Sequence, residues 1–136
     1  MYGLDAALDL IHQEGLSNVI ARHSRLAAAT RVAVDAWDLN NVCVNPEEYC
    51  NSTTAVFTPG DADELREIVL DKFNMSLGTG LGLLKGKIFR IGHIGDFNDL
   101  MLMGTLSGVE MGFKLADMPH QPGGAQAAME FLANSA

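Results

Sequence analysis

The chain has 136 residues, of which 48% are apolar and 19% are charged. This length and composition are typical of one folded domain and exclude a fibrous repeat or a disordered tail. The net charge is -8, from 17 acidic and 9 basic side chains, and the basic residues do not cluster. Because clustered cations are needed to bind phosphate groups, we expect no nucleic-acid partner and no binding to a membrane.

The cysteines and the first residues indicate the compartment. Cys43 and Cys50 have no histidine or second cysteine pair placed to complete a zinc site. The chain starts without a basic region followed by an apolar run, and it has no apolar stretch of about 18 residues. We therefore expect a reduced, cytoplasmic protein that is not exported.

The amino-terminal third is predicted to be helical. Apolar residues recur at helical spacing over 4–11 and again over 19–37, and Gly15 separates the two stretches. The second helix is long, about 20 residues by this spacing. Asn40 follows it and is predicted to lie outside the helix.

The next segment combines strand and helix signals. β-branched and aromatic residues predict a strand over 53–57 and a shorter one over 42–44. A helix is predicted to begin at Asp61, which stands at capping-box spacing from Glu64, and to end near Asn74.

The last half is predicted to contain a hairpin and two helices. Residues 75–81 and 87–91 flank a turn and predict antiparallel strands, of which the first is weakened by its glycines. A helix over 97–113, with Asp96 as its cap, is apolar around most of its circumference. A linker over 120–124 precedes a short terminal helix.

This order of elements predicts an α+β fold. The sheet is expected to be small and mainly antiparallel, with helices on one face, and to be preceded by a long helix. The apolar helix after the hairpin needs cover on two sides, so we expect part of its surface to meet a partner.

The sequence carries no catalytic signature of its own. It has no Gly-x-Ser-x-Gly elbow, and its four histidines lie in different elements without ligand spacing, so we expect no metal site. The run from Gly78 to Gly82 looks like a phosphate loop but has Leu83 where the dinucleotide fingerprint needs glycine. We expect these glycines to let the backbone pass close to another surface. The four lysines are expected to be exposed and protonated.

Arg90 is the exceptional residue of the chain. It interrupts the apolar run Ile88-Phe89-Arg90-Ile91 near a strand end. Burying a guanidinium is unfavourable unless a carboxylate pairs with it, ideally in a bidentate way. The carboxylate is either internal, with Asp96 as the candidate, or belongs to a ligand, and the residues alone leave both alternatives open.

Residues 85–104, KGKIFRIGHIGDFNDLMLMG, closely resemble the carboxy-terminal segment of class V pyridoxal-phosphate aminotransferases of the serine–glyoxylate and alanine–glyoxylate group. Residues 2–37 look like the interdomain and small-domain helices of that family, and residues 53–63 like a small-domain strand and turn. Residues 76–82 are similar to its Ser-Leu-Gly-x-Gly-Leu-Gly loop, and residues 119–132 to its end. The resemblance covers nearly the whole chain.

The resemblance implies that residues 1–136 form the carboxy-terminal small domain of a homodimeric transaminase, which moves an amino group from serine or alanine to glyoxylate. It implies a helical interdomain part over 1–40, a sheet with helices over 41–118, and a linker with a terminal helix over 119–136. Arg90 falls on the family's arginine that binds the substrate carboxylate. The lysine that carries pyridoxal phosphate belongs to an upstream large domain, so we expect no cofactor on the isolated chain and no transamination by it.

The alternative is a stand-alone α+β module that uses Arg90 to hold a small amino or keto acid without catalysis. The two interpretations differ in the surface they require. A domain separated from its enzyme exposes a large apolar patch, whereas a self-sufficient module does not.

Overall fold

The computed structural model describes residues 2–135. Within that range the chain forms five α-helices, a three-stranded antiparallel sheet and two short 3-10 turns, which confirms the predicted α+β fold. The elements in chain order are α1 (Tyr2–Glu14), α2 (Leu16–Ala36), β1 (Thr53–Phe57), α3 (Ala62–Phe73), β2 (Gly78–Thr79), β3 (Ile88–Gly92), α4 (Asp99–Leu115) and α5 (Gly124–Asn134). The 3-10 turns cover Pro46–Glu48 and Gly82–Leu84.

The two amino-terminal helices form as predicted but differ in burial. Gly15 separates them and has a φ of +87°, a conformation that favours glycine. No residue of α1 is buried. One face of α2 is buried in the core. The buried residues of this face are Leu26, Ala27, Ala29, Thr30, Ala33 and Val34. α2 therefore belongs to the packed body of the molecule, whereas α1 lies on its surface.

The strand β3 is the centre of the sheet, with β1 and β2 antiparallel on either side. Ala55 and Gly78 stand opposite Arg90, and Val56 stands opposite Phe89. Successive side chains of a strand point to opposite faces of the sheet. Val56 and Phe89 are fully buried on the core face, so Ala55 and Arg90 lie on the other face.

The predicted hairpin is confirmed, but its first strand is shorter than predicted. β2 covers only Gly78–Thr79 instead of residues 75–81. A Cβ atom at Gly80 would overlap the carbonyl group of Leu84, because the chain turns back on itself there. The tight turn ends the strand.

In the segment beside β1 the structure differs from a second prediction. A strand is predicted over 42–44, but the structure has a single bridge at this edge, between Asn41 and Val56. Val44 is 88% exposed, and Asn45 caps the 3-10 turn that follows. The chain therefore turns away from the sheet edge before a strand forms.

Helix α3 begins and ends where the sequence predicts. The Asp61 carboxylate accepts a hydrogen bond from the backbone N–H of Asp63 at 2.8 Å. Asn74 ends the helix in the left-handed conformation, with a φ of +51°. The Asp61 side chain thus supplies the predicted amino-terminal cap.

Helix α4 begins later than predicted, and Asp96 is not its cap. Instead, the side chain of Asn98 accepts a hydrogen bond from the N–H group three residues further on, at 3.0 Å. Arg22 donates to the carbonyl groups of Gly95 and Phe97 at 2.9 and 2.8 Å. These bonds hold the preceding residues in a loop, with Asp96 exposed.

Trp37 is fully buried in the core and packs edge-on against the ring of Phe113. The indole N–H of Trp37 donates to Glu110 at 2.9 Å, and the same carboxylate accepts the N–H groups of Gly123 at 2.6 Å and Ala125 at 2.9 Å. Burial raises the pKa of Glu110, but the hydrogen bonds from Ala125, Gly123 and Trp37 outweigh it, so this pKa lies below its ordinary value. Glu110 thus joins α2, α4 and the predicted terminal helix α5.

Candidate functional site

Arg90 occupies the middle of the central strand, on the face opposite the core, and is half-buried. Its Nε–H donates to the carbonyl oxygen of Thr79 at 3.0 Å. This bond restrains the plane of the guanidinium group. The two terminal nitrogens make no hydrogen bond to any residue in the range 2–135.

The suggested internal ion pair between Arg90 and Asp96 is not formed. No carboxylate oxygen of the described residues lies within 4.0 Å of the Arg90 guanidinium. A half-buried guanidinium whose terminal donors lack a protein acceptor is suited to a bidentate bond with an anion. Of the two alternatives that the sequence leaves open, the carboxylate of a ligand is the one that agrees with this geometry.

The glycine run beside Arg90 has a steric role. A Cβ atom at Gly78 would lie 3.0 Å from both the Cβ and the Nε of Arg90, and one at Gly80 would overlap the carbonyl of Leu84. The run leads into a 3-10 turn instead of the helix that a phosphate loop requires. The prediction that the glycines permit a close approach is therefore confirmed at Gly78 and Gly80, whereas a Cβ atom at Gly82 would meet no atom within 4 Å, and Gly82 instead has a positive φ of +56°.

Side chains of helix α3 contact β2 and the residue before it. The hydroxyl of Thr79 lies 3.3 Å from Oδ1 of Asp63 and 3.2 Å from the carbonyl oxygen of Gly80, and the same Asp63 oxygen accepts a hydrogen bond from Arg66 at 2.9 Å. The Nε–H of Arg66 donates to the carbonyl of Leu77 at 2.9 Å. The strand that supplies the acceptor for Arg90 is thus tied to α3 on both sides of Gly78.

Sequence analysis does not single out Asp63, Arg66 or Thr79. Asp63 and Thr79 are 16 residues apart, and no spacing rule links a helix to a two-residue strand. The one available signal is the pair of opposite charges at i and i+3 in α3. That pattern is common on exposed helix faces and does not by itself indicate a site.

None of the four lysines fits the role of carrying pyridoxal phosphate. Lys85, Lys87 and Lys114 are exposed, and Lys72 pairs with Asp71 at 2.9 Å on the exposed side of α3. The hydrogen bond that Lys72 donates to the Asp71 carboxylate raises the pKa of Lys72, whereas an amine that attacks a carbonyl group needs to be deprotonated. The structure therefore gives none of the four lysines the buried environment that an imine-forming amine needs.

The four histidines lie in α1, in α2, in the loop after β3 and in the loop after α4. Within residues 2–135 no three His, Cys, Asp or Glu side chains come together as metal ligands. His93 is fully buried, and its ring nitrogens bond to the carbonyl of Asn51 at 3.1 Å and the hydroxyl of Thr54 at 2.9 Å. Since a carbonyl only accepts, Nδ1 carries the proton. Burial lowers the pKa of His93, which is consistent with a neutral structural residue.

An open groove of about 880 Å³ lies between α1, α2 and two loops, residues 50–52 and 94–96. Arg22 ties its walls together, because it bonds to both carboxylate oxygens of Glu14 at 2.6 and 2.7 Å as well as to the second loop. The apolar side chains of α1 are exposed; they include Leu4 at 66%, Leu8 at 45% and Leu10 at 57%.

No helix among the described residues is both long and apolar enough to span a bilayer.

The chain was compared with known proteins. It is 50% identical over 136 residues to serine–glyoxylate aminotransferase of Arabidopsis thaliana, an alignment that covers 97% of this chain and 34% of that protein. It is 41% identical to serine–glyoxylate aminotransferase of Methylorubrum extorquens, with coverage of 97% and 34%. The structure matches pyridoxamine–pyruvate aminotransferase from Mesorhizobium loti with a TM-score of 0.91 at 32% identity, over 98% of this chain and 35% of that one.

The chain is homologous to the carboxy-terminal part of class V aminotransferases. It spans about a third of the length of the curated relatives that it matches, and that third is their carboxy-terminal part. No family model matches the chain. The resemblance that the sequence indicates is thereby confirmed, and the aminotransferases of this class depend on pyridoxal phosphate.

Proposed function

We propose that the chain is the carboxy-terminal, substrate-recognising domain of an aminotransferase that transfers an amino group from serine or alanine to glyoxylate. Arg90 binds the carboxylate of the amino or keto acid. The observation that carries this proposal is the guanidinium group, which is held at Nε by Thr79 and presents two terminal nitrogens with no hydrogen-bond acceptor among residues 2–135. The relatives named serine–glyoxylate aminotransferase support the substrate class.

The contribution of this chain to the reaction is to bind and orient the substrate. A bidentate guanidinium–carboxylate pair fixes both the position and the plane of the carboxylate. Fixing one end of a small amino acid restricts the orientation of its reacting Cα–H bond, which lowers the entropic part of the barrier. Pyridoxal phosphate, held by the upstream part of the enzyme, supplies the electron sink for amino transfer.

The exposed apolar residues favour a domain of a larger enzyme over a stand-alone module. Besides the leucines of α1, Leu100 on α4 is 82% exposed and Leu83 beside the glycine run is 90% exposed. We propose that an upstream large domain covers part of this surface, with 1–40 as the interdomain part, 41–118 as the sheet and helices, and 119–136 as the terminal segment. We further propose a homodimer in the cytoplasm.

The direct test is steady-state kinetics of the intact enzyme that contains this chain, with Arg90→Ala and Arg90→Lys. Truncating one partner of a hydrogen-bonded charge pair costs about 2 to 4 kcal/mol, which corresponds to a loss of about 30- to 1000-fold in kcat/KM. Arg90→Lys retains the charge but not the bidentate geometry, so an intermediate loss is expected.

Lys87→Ala is the matched control, because Lys87 is an exposed cation directly before the same strand. Its kcat/KM is expected to stay within about twofold of the wild-type value, as for an exposed charge. Equal values of kcat/KM for wild type and Arg90→Ala would refute the proposed role of Arg90. Apolar-dye binding by the separately produced, folded chain, and its loss in the intact enzyme, tests the proposed cover by the upstream domain.

A further inference from the structure

The strand that orients Arg90 is weak by itself. β2 has two residues, one of them glycine, and its turn contains further glycines. Glycine loses more backbone entropy on folding than other residues, and so short a strand has few ladder bonds. The carbonyl of Thr79 therefore needs support from outside the hairpin if it is to hold the Arg90 Nε–H in one place.

That support comes from one face of α3. Asp63 and Arg66 are three residues apart and lie on the same side of the helix. Arg66 donates through Nε to the Leu77 carbonyl, before Gly78, and Asp63 faces the Thr79 hydroxyl after it. The two contacts hold the backbone on either side of the residue that stands opposite Arg90.

The charges in this arrangement are also suited to anion binding. Arg66 pairs with Asp63 at 2.9 Å, so its positive charge neutralises the Asp63 carboxylate that lies beside Thr79. Asp63 makes no ion pair with Arg90 in the described structure. The pair therefore stabilises β2 without occupying the terminal guanidinium nitrogens of Arg90 that an incoming carboxylate would use.

We propose that Asp63 and Arg66 are positioning residues for the substrate carboxylate, which act through Thr79 and the Nε of Arg90. The proposal rests on the proposed function, because it assigns how the carboxylate-binding guanidinium is oriented. According to this proposal, two residues of α3 influence the affinity for the substrate, although neither forms a hydrogen bond with Arg90.

The test uses Asp63→Ala, Asp63→Asn and Arg66→Lys in the intact enzyme. Asp63→Ala is expected to raise the KM for the amino donor about tenfold and to change kcat less than about twofold, in the range found for coupled neighbours. Asp63→Asn keeps an acceptor oxygen for Thr79, so it is expected to restore part of the affinity. Arg66→Lys keeps the charge but replaces the guanidinium fork by a single nitrogen atom, which is not expected to reach both the Leu77 carbonyl and the Asp63 carboxylate, so it is expected to raise KM.

Asp71→Ala is the matched control, since its ion pair with Lys72 lies on the same helix and is exposed. It is expected to leave KM unchanged. The inhibition constant of propionate, a plain carboxylate that competes with the amino donor, gives a second readout that involves no amino transfer. It is expected to rise with KM in Asp63→Ala.

A double-mutant cycle separates positioning from mere stability. In an Arg90→Lys background the bond from Nε to Thr79 is gone, so Asp63→Ala is expected to lose most of its effect on KM and on the inhibition constant. An effect of full size in that background, or no effect in the wild-type background, overturns the proposal. If Arg90→Ala changes neither constant, the proposed function of Arg90 fails and this inference falls with it; if only Asp63→Ala is silent, the proposed function stands alone.

Discussion

The polar groups on the two sides of the sheet differ in how completely they are hydrogen-bonded within the chain. On the core side, Glu110 takes three hydrogen bonds from Trp37, Gly123 and Ala125, and the surrounding apolar side chains are buried. On the other side, Arg90 is half-buried, and within the part of the chain that the structure describes only its Nε has an acceptor. The first arrangement satisfies its donors and acceptors within the chain, as a stable core requires. The second keeps donors available, which is typical of a group that binds a ligand.

This contrast predicts that the two sides respond differently to substitution. Changes around Trp37 are expected to reduce stability and to leave the affinity of correctly folded enzyme unchanged. Changes around Arg90 are expected to reduce affinity with little loss of stability. Each of the following variants tests one side of this comparison.

The largest effect on stability is expected for Trp37→Ala. Trp37 is fully buried, packs edge-on against Phe113 and bonds to Glu110. Its truncation leaves a cavity and removes one of the three hydrogen bonds to the Glu110 carboxylate, at a cost of about 3 to 5 kcal/mol in the free energy of unfolding. Urea unfolding of the intact enzyme measures it, with Lys85→Ala as the exposed control. A change in the KM of the folded fraction would contradict the separation of the two sides.

A smaller effect, on binding, is expected for Gly78→Ala. The added methyl group lies 3.0 Å from the Cβ and Nε of Arg90 and displaces the guanidinium. A misplacement of this kind is expected to lower kcat/KM by about 10- to 100-fold, whereas the melting temperature changes little. Gly92→Ala on β3 is the control, because its Cβ would meet no atom within 4 Å. Equal kinetics for the two variants would show that the close packing against Arg90 is unimportant.

The smallest effect is expected for Glu110→Gln, and it depends on pH. At pH 7 the variant loses charge-assisted hydrogen bonds and is expected to unfold with about 1 to 2 kcal/mol less free energy. The pKa of Glu110 is lowered in the folded state, so its stabilising effect is complete above the ordinary value of 4.5 and is lost as the pH falls through the lower folded-state value. Urea unfolding at pH 7 and at pH 3.5 is expected to give a smaller difference at the lower pH. A difference that grows on acidification would mean the assigned direction is wrong.

The sequence predicts the elements well where local patterns decide them. Apolar spacing determines α2, and the position of Arg90 in an apolar strand marks it as exceptional. The cap of α4 is mispredicted because Asp96 and Asn98 are both good caps, and the choice depends on Arg22 bonding to the intervening loop from another helix. The support of Arg90 by Asp63 is not predictable either, since it joins elements 16 residues apart through a side chain and a two-residue strand.

The central claim is that Arg90 recognises a carboxylate. The most direct measurement compares kcat/KM for serine with that for ethanolamine, which is serine without its carboxylate, in the intact wild-type enzyme and in Arg90→Ala. The substitution is expected to lower the value for serine by about 30- to 1000-fold and to leave the value for ethanolamine nearly unchanged, so that the preference for serine collapses. Equal losses for both amines, or an unchanged preference for serine, would contradict the assignment of Arg90 to the carboxylate.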